Sequence, residues 1–106
     1  MTTDPRQPDE ARIDIADDVR ELAGLFLAAR RADLARLDEA LAAGDLATVR
    51  AVGHVFHGSA APFGFPEAGR IGARLEEAAA RGDLGAARAL APLLHASLPG
   101  PGPDGA

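Results

Sequence analysis

The chain has 106 residues, 47% of them hydrophobic, and a net charge of −5, which is enough for one domain with a real core and too little for two. It contains no cysteine, so disulfide scaffolds, thiolate zinc sites and cysteine nucleophiles are excluded. Residues 1–18 hold six acids and two arginines, while residues 19–98 hold nine of each; this neutral body, without lysine, tyrosine or tryptophan, lacks the basic, base-stacking surface that nucleic-acid binding requires.

The opening "MTTDPRQPDEAR" is polar and acidic where a signal peptide carries a basic and then an apolar segment. No apolar run approaches the roughly 18 residues of a membrane span. The expectation is a cytoplasmic protein that touches neither membrane nor nucleic acid. Residues 1–15 read as a flexible segment in which only Ile13 and Ile15 could lie over one end of the fold.

Alanine, leucine and arginine dominate the middle and no alternating β-branched stretch occurs, so residues 16–98 are expected to form an all-α domain. A first helix over 16–43 carries Val19, Leu22, Phe26, Leu27, Leu34, Leu37 and Leu41 on one stripe, which Arg30 interrupts. In "AGD", Gly44 stops that helix and Asp45 caps the next. The second helix places Leu46, Val49, Gly53, Phe56, Ala60 and Phe63 at alternating gaps of 3 and 4, the seam of an antiparallel bundle helix. Pro66 opens a third helix, with Phe65, Ala68, Gly72, Leu75 and Ala79 on its seam as far as Gly82. Asp83 caps a fourth, whose seam is Leu84, Ala87, Ala91, Leu94 and Leu98 and which Pro92 should kink. "GDLATVR" and "GDLGAAR" reuse one capping device; two such units are too few for a solenoid. "PGPGPDGA" has nothing to bury, and residues 99–106 read as a disordered tail. The fold expected is an antiparallel up-down-up-down four-helix bundle.

Within helix two, "GHVFHGSAAPFGF" (residues 53–65) sets two histidines three apart among glycines. Glycine in a helix costs about 1 kcal/mol relative to alanine, so Gly53 and Gly58 need a reason. With the seam through Gly53 and Phe56, His54 lies about 100° off the core line and should be exposed. Arg50 flanks it on one side and His57, Gly58 and Ala61 on the other. Close approach of a partner to His54 would account for the glycines.

This motif resembles that of the histidine-containing phosphotransfer domains of phosphorelays: a small residue (Gly53), the phosphorylated histidine (His54), any residue (Val55), an apolar one (Phe56), usually lysine (here His57), glycine (Gly58), then small residues and a further glycine (Gly64). The helix lengths and turns over residues 16–98 are similar too. The resemblance implies that His54 accepts a phosphoryl group from a receiver-domain phospho-aspartate and passes it to another receiver, with Gly53 and Ala61 at the docking face. A hybrid histidine kinase is a further implied partner. The chain needs no cofactor of its own on this reading, magnesium being expected on the receiver, and it has no independent turnover as an enzyme. His57 makes the usual cation conditional on pH, and Glu76 stands near where the family often places a polar partner for the histidine ring.

Two other readings stay open. The domain could bind receivers as a scaffold or inhibitor without transfer, which the missing lysine would allow. His54 and His57 could instead chelate a metal, although two ligands fall short of the three or four that stable sites use. His95, with no motif around it, reads as structural or surface.

Overall fold

In a computed structural model of the chain, the backbone of residues 6–100 and the side chains of residues 18–100 are described. Among these residues there are four α-helices and no strands: α1 (Arg6–Ala43), α2 (Leu46–Ser59), α3 (Pro66–Ala80) and α4 (Leu84–Ala96). The all-α expectation holds. A single 3-10 turn, Ala61–Phe63, joins α2 to α3. No described helix is long and apolar enough to cross a membrane.

The connections α1–α2 and α3–α4 use the same few atoms. Gly44 and Gly82 turn left-handed, at φ 70° and 75°. The next residues, Asp45 and Asp83, send their backbone N–H groups back to Ala40 and Ala78, at 2.8 and 2.9 Å. Each aspartate side chain then accepts from a first-turn amide, Thr48 N–H at 3.2 Å and Ala86 N–H at 2.9 Å. One residue with positive φ closes a helix and its neighbour opens another, as "AGD" and "RGD" predict. The Asp45 carboxyl also accepts from the Thr48 hydroxyl, and these bonds hold it below the usual carboxylate range.

The predicted seams meet in one core. Leu37, Val49, Val52, Phe56, Leu75 and Leu94 are fully buried, with Phe26, Leu34, Leu41, Ala60, Ala68, Ala79, Ala87, Ala91 and Leu98 around them. Three expectations need correction. First, α1 is already helical at Arg6, the first residue described, so most of the segment expected to be loose is helical. The side chains of Ile13 and Ile15, and residues 101–106 of the expected tail, lie outside the described residues.

Second, Val19 and Leu22 are 60% and 53% exposed rather than buried on the stripe. Cover for α1 ends at Phe26, whose ring stacks on Phe63 and Phe65 with centroids 4.5 and 5.9 Å away. Third, α2 stops at Ser59 and Phe63 is 42% exposed instead of continuing the seam. Pro62 cannot supply the N–H that would continue the helix, and Gly64, at φ 95°, reverses the chain.

Arg30 does not simply reach for solvent. Its guanidinium carbon lies 5.2 Å from the Phe26 ring centroid and 6.0 Å from that of Phe56. Nη1 donates to the Ser59 hydroxyl at 3.0 Å, while Nε sits 3.0 Å from Asp33 Oδ2, off the hydrogen-bond direction. Asp33 is buried and also meets Arg36. A polar network thus ties the last turn of α2 to α1.

Candidate functional site

The site begins with two glycines that face each other across α2 and α3. A Cβ on Gly53 would stand 2.7 Å from the Glu76 nitrogen and 2.8 Å from the Gly72 oxygen. One on Gly72 would stand 2.6 Å from the Phe56 Cβ and 2.8 Å from the His57 nitrogen. Both glycines are buried. The missing methyl groups let the two backbones touch, and Glu76 arrives beside the histidines as a result.

Its carboxylate spans both rings. His54 Nδ1 lies 2.9 Å from Glu76 Oε2 and His57 Nδ1 lies 3.1 Å from Oε1. An ionised carboxylate only accepts, so each ring donates through Nδ1–H, and the neutral tautomer that this bond selects has its lone pair on Nε2. The hydrogen bond from His57, followed by that from His54, lowers the Glu76 pKa below its ordinary value of 4.5. The side chains of His54 and His57 remain 73% and 55% exposed, whereas that of Glu76 is 24% exposed.

The remaining expected residues fall around this trio. Arg50, one turn before His54, is exposed. Gly58 is exposed, with nothing within 4 Å of where its Cβ would be. Ala61 borders a shallow groove beside His57, with Gly69, Arg70 and Ala73 along the other wall, and Arg70 is held by Glu67. Gly53 departs from expectation: α3 fills the space that a docking partner was expected to use. Gly58 alone of the two leaves open surface.

A family model described as Hpt domain matches residues 21–99. The chain belongs to the Hpt domain family. Comparisons with curated proteins and with solved structures give no match. Hpt domains serve histidine phosphotransfer in phosphorelays and work with the receiver domains of two-component systems.

Two features of this Hpt domain escaped the sequence reading. Gly72 carried the same signal as Gly53, a glycine on an apolar seam inside a helix, but each acquires meaning only when the other is placed opposite it. His95 has a partner: its Nε2 lies 3.0 and 3.1 Å from the two Asp38 oxygens. Nearby, Arg31 donates to the Pro99 and Gly100 carbonyls at 3.2 Å, so α4 and the segment after it are fastened to α1. This cluster is separate from the His54 trio. Among the described residues no group of three or more His, Cys, Asp or Glu is arranged to hold a metal ion.

Proposed function

We propose that this Hpt domain takes a phosphoryl group onto Nε2 of His54 from a receiver-domain phospho-aspartate and gives it up to the aspartate of another receiver. The observation that carries the reading is the 2.9 Å contact between His54 Nδ1 and Glu76. It keeps the proton on Nδ1, so the Nε2 lone pair points outward from a ring that is largely exposed. That lone pair attacks phosphorus, the P–O bond to the aspartyl oxygen breaks, and the carboxylate leaves with the bonding electrons. The ring keeps its Nδ1 proton and becomes cationic, and Glu76 balances that charge. A loose phosphoryl-transfer transition state asks mainly for alignment, which two rigid helices supply. The magnesium ion of the transfer belongs, on this reading, to the receiver.

The same reading places α1 to α4 alternately up and down. Contacts that pair Leu41 with Arg88, Asp38 with His95 and Arg31 with Pro99 support α1 and α4 running antiparallel.

The test is transfer of labelled phosphate from a panel of phosphorylated receiver domains. Label on the wild-type protein is expected to be acid-labile and base-stable, to vanish in His54→Gln and to persist in His95→Gln. Label retained in His54→Gln overturns the assignment. The imidazole at the lysine position favours one other reading, a receiver-binding scaffold. Wild-type protein that binds receivers and takes no label from any of them establishes that alternative.

A further inference from the structure

An Hpt domain with histidine at the lysine position has no permanent charge there, and the His57 ring is already committed through Nδ1 to Glu76 at 3.1 Å. We infer that Arg50 is the fixed cation of this site and contacts the phosphoryl group carried by His54. The inference rests on His54 Nε2 being the acceptor.

Three observations lead to Arg50. It lies four residues before His54 on α2 and is exposed, and residues so spaced on a helix are neighbours, with Cβ atoms about 5–6 Å apart. Helical side chains in general lean toward the N-terminus, which favours approach of the His54 ring to the turn that bears Arg50. Arg50 also makes no ion pair or hydrogen bond with any described residue, whereas Arg70, beside His57, is held by Glu67. Nδ1 and Nε2 diverge across the imidazole ring; with Nδ1 turned to α3, a phosphoryl group on Nε2 projects to the solvent side, within range of a long side chain one turn away. A guanidinium offers paired N–H donors that match phosphoryl oxygens and stays charged at every physiological pH. Glu76, the acidic group of α3 at this face, is occupied by the two rings and does not compete for Arg50.

The phosphoryl-exchange equilibrium with a single receiver tests this for wild type, Arg50→Gln, Arg50→Lys and His57→Gln at pH 8 and low salt. That equilibrium constant depends only on the four separated proteins, so a residue that merely guides docking changes the forward and reverse rates together and leaves it unmoved. Arg50→Gln should shift it about fivefold toward phospho-aspartate, the factor expected for unit charges about 4 Å apart in water. Arg50→Lys should recover most of the loss, and the shift should shrink in high salt. Circular dichroism is expected to show the same helicity in all four proteins. An unchanged equilibrium with slowed rates in Arg50→Gln overturns the inference and makes Arg50 a docking residue. A shift seen in His57→Gln and absent in Arg50→Gln overturns it in favour of His57. Wild-type protein that takes no label overturns the relay reading itself, and the role of Arg50 falls with it.

Discussion

Glu76 is the residue on which the chemistry of the two histidines turns. Replacing it by alanine leaves both rings free to exchange tautomers, so that Nε2 of His54 carries the proton for part of the time. Glu76→Ala is expected to slow transfer by about one order of magnitude with helicity unchanged, and stopped-flow or rapid-quench transfer from one receiver checks this. Glu76→Gln should fall between, because an amide presents one accepting oxygen where the carboxylate presents a separate oxygen to each ring. The pH dependence follows from the lowered Glu76 pKa. A carboxylate whose pKa is depressed on folding adds stability above its unfolded value, and that contribution is lost as pH falls through the folded one. The Nδ1 bonds to Glu76 therefore persist through the neutral range and fail only below the ordinary glutamate value of 4.5. Two-dimensional NMR of the imidazole nitrogens against pH is expected to show the Nδ1–H tautomer of His54 in the neutral form of wild type and a mixture in Glu76→Ala.

At the scale of the helices, one motif contains two glycines with opposite duties. Gly53 faces α3 backbone at less than 3 Å from a would-be Cβ, whereas Gly58 faces open space. Gly53→Ala and Gly72→Ala are expected to force α2 and α3 apart and to destabilise by about 1–3 kcal/mol, the usual cost of overpacking, read as a lower urea midpoint. Gly58→Ala should raise the midpoint, since alanine favours a helix over glycine by about 1 kcal/mol. Gly58→Leu should also fold while transfer falls, because on the proposed function its side chain would stand beside His57 on the face that a receiver approaches. Sequence periodicity shows that a glycine breaks a helical preference; it does not show whether the space is taken by a neighbouring helix or left to a partner. For the same reason the capping turns at Gly44 and Gly82, which are local, were legible to the residue, while the contact of Glu76 with the His54 ring, which crosses from one helix to another, was visible only through family resemblance, and its contact with the His57 ring was not visible at all. Arg30 illustrates the same limit: a cation on an apolar stripe is read as reaching for water until Ser59, Asp33 and two phenylalanine rings are set around it.

For the whole molecule, the four seams foretold the core but not its extent. α1 has 38 residues against 13–15 in the other helices, about 57 Å at 1.5 Å per residue, so its stripe runs on past the helices that cover it. Val19→Ala and Leu22→Ala are therefore expected to change stability by less than about 0.5 kcal/mol, while Leu37→Ala, fully buried, should cost about 2–5 kcal/mol; chemical denaturation of the three variants distinguishes them. The helix over residues 6–15 was missed because prolines and acids look like loop composition. The glycine crossing carries a different lesson for how such chains are recognised. A relative that kept "GHVFHG" intact but had alanine in place of Gly72 would pass any search keyed to the acceptor motif, yet its glutamate would be held away from both rings. On the proposed function, competence to accept phosphate is thus written in two distant stretches of the chain, and the second bears no histidine to draw the eye.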